Sequence, residues 1–182
     1  MKISELMKDL YDSTDTTGDY SKTCDTMKAG DPEREIRKVA TAMFATPELI
    51  RQAVAWGAEL IIVHEPTFYS HYDNPMSGDP VYEAKLKLIR DSGVTIYRFH
   101  DHPHANYEDM ICQGELKYSG LKGTWRKGPR YAVNSLVLDN EMTAREIAKV
   151  LEEKLNIAHV RICGAADLPC RNISLCFGTP GG

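Results

Sequence analysis

No run of residues in this chain approaches the ~20 consecutive apolar positions that a membrane-spanning helix needs. The sequence also lacks a concentrated basic surface. Its 182 residues carry 22 Lys and Arg against 26 Asp and Glu, a formal charge of −4 that argues against nucleic acid as the main partner. The run Arg126, Lys127 and Arg130 looks locally basic, and such a run reads as a solvated loop. There is no C-x-x-C pair among the five cysteines, Cys24, Cys112, Cys163, Cys170 and Cys176. An odd, unpaired set suggests reduced thiols. The first residues, Met1 to Asp12, bring carboxylates early and no long apolar segment, unlike a secretory signal. The expected setting is therefore cytoplasmic. A G-x-S-x-G nucleophile elbow is missing too, which removes the usual signature of Ser-His-Asp hydrolysis.

Histidine is present in an uneven way. Three of the six histidines fall within His100, Asp101, His102, Pro103 and His104, directly after the apolar run Val94 to Phe99. A second apolar run, Leu60 to Val63, ends in His64, Glu65 and Pro66. Neutral imidazole is the commonest protein metal ligand, so two apolar segments that finish in imidazole and carboxylate groups point to a shared metal centre.

The punctuation around these runs predicts their topology. Ile36 to Phe44 reads as a strand, Thr46 as a helix N-cap with Pro47 first in the helix, and Gly57 as its close. Glu59 to Val63 is a strand of the kind buried on both faces of a parallel sheet. Asp79, Pro80 and Gly93 then repeat the same signals around a second helix, and Val94 to Phe99 is the next strand. A βαβαβ order implies parallel strands. Their C-terminal ends share one edge of the sheet, where α/β proteins usually place their sites, and His64 and His100 both lie just past such ends. The fold class expected is α/β, with a mainly parallel central sheet flanked by helices and a second, partial α/β unit.

Elsewhere, Ile3, Leu6, Met7 and Leu10 have helical spacing, and residues 13–34 read as a long polar surface loop. Residues 107–130 read as a helix giving way to a glycine-rich loop. A second alternation follows: strand from Tyr131 to Leu138, helix from Thr143 to Leu155, a strand around Val160, and a strand from Ile173 to Phe177. The expected division is 1–128 for the unit with the site and 129–182 for the second. Gly178 to Gly182 could cradle an anion if a helix followed, and the chain is expected to continue past Gly182.

Within the second cluster, His100, His102 and His104 share a face if the backbone is extended, and Asp101 could orient a ligating ring. Glu65, next to His64, could serve a second ion or act as a general base toward water. Three-imidazole sites suit zinc, iron and other borderline metals. His71 and His159 read as structural or exposed.

At these motifs the sequence resembles the Nif-three-like dinuclear-metal family, whose members are often called GTP cyclohydrolase 1 type 2 homologues. The matching text runs from Ala45 to Ile50, from Gly57 to Pro66, through the strand ending in His100, and again from Leu175 to Gly182. Members typically read His-His-Pro and His-Thr-Asn-Leu-Asp at the two places. By position His64 matches the first histidine, Glu65 replaces the second, His104 replaces the aspartate, and His100 matches the leading histidine of the second motif. The resemblance implies a Nif-three-like fold and a toroidal homohexamer. It also implies one or two divalent ions per chain (zinc, iron or manganese) held by His64, Glu65, His100 and His104. Its remaining ligands would come from a segment beyond Gly182, so partial metal occupancy is expected of these 182 residues. The activity implied is that of a metal-dependent hydrolase acting on an unidentified small molecule, such as a nucleotide, with Glu65 catalytic. Two other readings stand beside it. One is a non-catalytic metal-binding or regulatory interaction protein. The other is a phosphoesterase of the polymerase-and-histidinol-phosphatase type, whose His-x-His pair normally lies near the chain start.

Overall fold

The computed structural model describes residues 1–14, 21–105, 109–125 and 135–176. Contacts divide the chain into two compact units, Met1–Ala105 and Asn106–Gly182. The division falls earlier than the 128/129 position expected from sequence, since the helix following residue 109 belongs with the second unit.

The first unit contains α1 (Ile3–Asp12), β1 (Met27–Ala29), β2 (Val39–Ala42), α2 (Pro47–Trp56), β3 (Leu60–Val63), α3 (Pro80–Ser92), β4 (Thr95–Arg98) and the short helix α4 (Asp101–Ala105). Its sheet has the order β1-β4-β3-β2. β2, β3 and β4 are parallel, with Val39 opposite Leu60 and Leu60 opposite Thr95. β1 runs antiparallel along the outer edge of β4. That edge strand lies inside the stretch expected to be loop. It has only three residues, too few for an alternation to show in the sequence. β2 is likewise shorter than the expected strand.

β3 is apolar throughout because both of its faces are covered. Ile61 and Val63 pack with Ile50 and Ala53 of α2, Ile89 of α3, and Ile96. Leu60 joins Tyr97 against Ile3 and Met7 of α1. The helices between the strands start and stop where their end residues require. The Thr46 hydroxyl accepts the N–H of Leu49 at 3.1 Å, and Asp79 accepts that of Tyr82 at 2.6 Å, with proline first in each helix. Gly57 closes α2 at φ +87°, a left-handed conformation that side chains resist. Gly30 is held more tightly still. At φ +104°, any Cβ there would run into the Thr95 side chain, so the turn from β1 admits only glycine.

The second unit contains α5 (Met110–Ser119), β5 (Gly123–Trp125), β6 (Ser135–Thr143), α6 (Ala144–Leu155) and β7 (Pro169–Ser174). Its sheet is antiparallel, in the order β5-β6-β7, around Leu121, Leu136, Leu138 and Leu175. α6 opens with a capping box in which Thr143 and Glu146 satisfy each other's main-chain N–H. The strand expected around Val160 does not form. Residues 157–168 run without regular structure, and β7 begins at Pro169 rather than Ile173. Arg126, Lys127, Arg130, Tyr131, Phe177 and the glycine-rich ending from Gly178 lie outside the described residues. No helix among the described residues is long and apolar enough to cross a membrane.

Candidate metal centre

The parallel pair β3 and β4 delivers two histidines to one edge. Val63 lies opposite Arg98, and the ladder continues one step through the N–H of Phe99, which donates to the Val63 carbonyl at 2.9 Å. His64 follows β3 directly, and His100 sits just past β4. Their ring centres stand 4.4 Å apart, with the His104 ring 4.9 Å from each.

Helical winding at residues 101–105 selects which histidines meet. With His104 N–H pointing at the His100 carbonyl 3.4 Å away, these two lie one turn apart on the same side. His102 falls on the other side and is buried against Tyr11 and Phe99. An extended backbone would have aligned all three, so the expectation of a shared face is corrected by one turn of helix. Pro103 fits because the N–H it lacks belongs to the first turn, which has no partner within the helix.

The turn is fastened by Asp25, which lies in the segment read as surface loop. Its buried carboxylate accepts the main-chain N–H of His100 at 2.6 Å, of Asp101 at 2.8 Å and of His102 at 2.9 Å. The His102 ring meets the same carboxylate through Nδ1 at 2.6 Å. Sequence reasoning missed Asp25 because its partners lie 75 to 77 residues away, and nothing local marks it.

Asp101 acts on the cluster directly, with Oδ1 3.0 Å from His100 Nδ1. That bond favours the tautomer in which Nε2 is the basic nitrogen. The carboxylate also accepts the N–H of Cys24 at 2.9 Å and the Thr23 hydroxyl at 2.8 Å. Burial alone would raise its pKa. The donors from Cys24, His100 and Thr23 outweigh burial and hold the carboxyl well below the usual range. The Cys24 thiol is pushed up to about 12, first by burial and then by its own bond to Asp101.

Two of the clustered imidazoles, His64 and His100, are tuned toward the neutral form. Burial lowers the His64 pKa to about 4, reinforced by repulsion from His100 and His104. Burial also lowers His100, opposed by its bond to Asp101. Donor atoms of His64, His100 and His104 all lie within 4.8 Å of one another. The Nε2 atoms of His64 and His104 are 3.1 Å apart. Two nitrogens bound at ~2.1 Å to one tetrahedral ion would be about 3.4 Å apart, close to the His64–His104 spacing, so this donor set fits a divalent cation.

The other candidate residues are placed as follows. Glu65 is half-buried next to His64, its N–H bonded to the Met43 carbonyl at 2.9 Å, and its carboxylate is outside the group of converging donors. A second group within 4.8 Å comprises Cys24, His100 and Asp101, already joined by hydrogen bonds. His159 is exposed in the second unit. Cys163, Cys170 and Cys176 join neither group.

His71 is exposed but near, its ring centre 5.7 Å from that of His100. Its placement depends on Arg98, a fully buried residue at the end of β4. The guanidinium donates through Nε to the His64 carbonyl at 2.9 Å and through one terminal nitrogen to the His71 carbonyl. The other terminal nitrogen is buried with no hydrogen-bond partner among the described residues. More ties hold the loop between these histidines. Lys85 donates to the Thr67 carbonyl, Asp73 accepts the Phe68 N–H at 2.6 Å, and Lys28 stands 3.3 Å from Asp73 in a buried ion pair.

The sequence model of the family described as Duf34/NIF3 (NGG1p interacting factor 3) matches residues 1–181. The chain belongs to this family. A protein of Chlamydia pneumoniae named GTP cyclohydrolase 1 type 2 homolog is 28% identical over 114 residues, 54% of this chain and 45% of that protein. One of the same name from Clostridium perfringens is 24% identical over 160 residues, 84% of this chain and 60% of its own length. This NIF3-family chain thus spans about half to three-fifths of the curated relatives it matches. Among solved structures, Staphylococcus aureus hypothetical protein SA1388 superposes with a TM-score of 0.73 at 19% identity. That match covers 94% of this chain and 70% of the other, and it establishes the shared fold.

Proposed function

We propose that this chain is a divalent-metal-binding, hydrolase-like protein that acts on a small molecule, with His64, His100 and His104 as ligands. One observation carries the reading: three imidazoles, two of them (His64 and His100) shifted toward neutrality by burial, converge within 4.8 Å at the C-terminal edge of a parallel sheet. Zinc, iron or manganese are the candidate ions, and three nitrogen donors leave room for a further ligand. A cation held there supplies Lewis acidity, lowering the pKa of water toward neutrality and polarising the bond to be cleaved.

The chain's own groups do the rest. Asp101 fixes the His100 tautomer, and Asp25 fixes the turn that carries His104. Glu65, half-buried beside His64, is assigned the role of general base toward water. The relatives' names make nucleotides the first substrates to try. Assembly into a homohexamer is carried over from the family resemblance, and residence in the cytoplasm is proposed from the thiols. Free cysteines suit a reducing compartment.

The test is metal analysis of the purified chain together with a turnover screen of nucleotides and phosphoesters, with and without added metal. Bound metal and metal-dependent turnover, both lost in His64→Ala and His104→Ala, are expected. Metal binding without any turnover would leave a regulatory metal-binding protein. Absence of metal binding would overturn the proposal.

A further inference from the structure

We propose that His71 is a fourth imidazole donor to the cation held by His64, His100 and His104, approaching from the solvent side. This rests on the metal-binding reading above and adds a ligand that the sequence motifs do not assign.

The ring spacing supports it. An imidazole bound at ~2.1 Å has its centre about 3.2 Å from the ion, so two rings on one tetrahedral ion have centres about 5 Å apart. The three clustered rings are 4.4 to 4.9 Å apart, and the His71 and His100 rings are 5.7 Å apart at an interplanar angle of 84°. The His71 ring thus stands within about 1 Å of the spacing from His100 that ligation needs. Its ring is exposed, and besides His100 its ring neighbour is Tyr72, itself exposed, whose ring centre lies 4.8 Å away, so the side chain can turn without disturbing the core.

The main chain does not share this freedom. The His71 carbonyl is bonded to the buried Arg98, whose Nε also holds the carbonyl of His64. Two histidine-bearing positions seven residues apart are therefore fixed to a single guanidinium. Two residues beyond His71, Asp73 is anchored by Phe68 N–H and by Lys28. A pinned backbone with an exposed ring is what a displaceable ligand requires: the donor returns to the same place, and it can leave to admit water or substrate. The other three ligands are part-buried, so His71 is the one that would exchange.

Titration with Co²⁺ tests the idea, read by equilibrium dialysis and by the visible spectrum of the bound ion. In His71→Ala the affinity is expected to fall roughly tenfold or more, and the spectrum to change as water replaces nitrogen. His159→Ala, which alters an exposed histidine of the second unit, should match the unsubstituted chain. Equal thermal midpoints of the metal-free proteins would show that His71→Ala folds. Unchanged affinity and spectrum in His71→Ala, with binding lost in His104→Ala, overturns the His71 assignment and leaves the three-histidine site standing. No Co²⁺ binding by the unsubstituted chain overturns both.

Discussion

The Nε2 atoms of His64 and His104 lie 3.1 Å apart although 40 residues separate them in the chain. Two imidazolium rings at that distance would repel, which adds to burial in lowering the His64 pKa to about 4. In the unfolded chain the same ring titrates near the ordinary ~6.5. Between those values the unfolded state binds more protons than the folded one, so stability must fall as pH drops from about 6.5 toward 4. His100 shifts in the same direction and adds to the slope. Thermal midpoints of the metal-free protein across that window should decline, and His64→Gln should flatten the decline. An identical slope in the variant would show that another group is responsible.

Asp25 makes the next prediction. A buried carboxylate that accepts three main-chain N–H groups and one ring nitrogen cannot be removed cheaply. Asp25→Ala strands those donors at an expected cost of about 3 kcal/mol in chemical denaturation, in the range for bonds to charged groups. Asp25→Asn keeps part of the set and should lose less. Because the turn it fastens carries His104, both variants should also bind metal more weakly than their stability loss accounts for.

These contrasts show what the sequence can convey. Thr46, Pro47 and Gly57 bound α2, and Asp79, Pro80 and Gly93 bound α3, because caps act through their neighbours in the chain. The apolar strands β3 and β4 were legible for the same reason, and with them the meeting of His64 and His100. Asp25 and Arg98 were not. Each works through contacts with segments tens of residues away, and neither residue type nor spacing announces such a contact. α4 was hidden differently: Pro103 suggests a break, yet its position in the first turn makes it compatible with helix. That single turn decided that His100 and His104 pair while His102 does not.

Thiol reactivity gives a simple check on the network behind His100. Burial and the Asp101 contact push the Cys24 thiol up to about 12, and Cys112 is buried as well. Cys163 and Cys176 are exposed. The thiolate is the reactive form, so a disulfide reagent at pH 8 should label Cys163 and Cys176 at once and Cys24 and Cys112 only after unfolding. Rapid labelling of Cys24, found by peptide mass analysis, would show that the contact with Asp101 is loose in solution.

Arg98 offers the sharpest separation of stability from site geometry. Its guanidinium is wholly buried and directs its charge to two carbonyls, His64 and His71, while one nitrogen finds no partner among the described residues. Such a group contributes little net stability, because desolvation offsets much of what its bonds return. Its effect is positional: it holds both ends of the loop from His64 to His71. Lysine retains the charge but not the planar fork, so Arg98→Lys can hold one carbonyl firmly and not both. Amide hydrogen exchange should then rise across residues 66–73, while protection in β3 stays close to the unsubstituted level. The lost bond should lower global stability by about 1 kcal/mol. If exchange in the loop is unchanged, the Asp73 and Lys85 ties are sufficient by themselves, and Arg98 is not what places His71 beside His100.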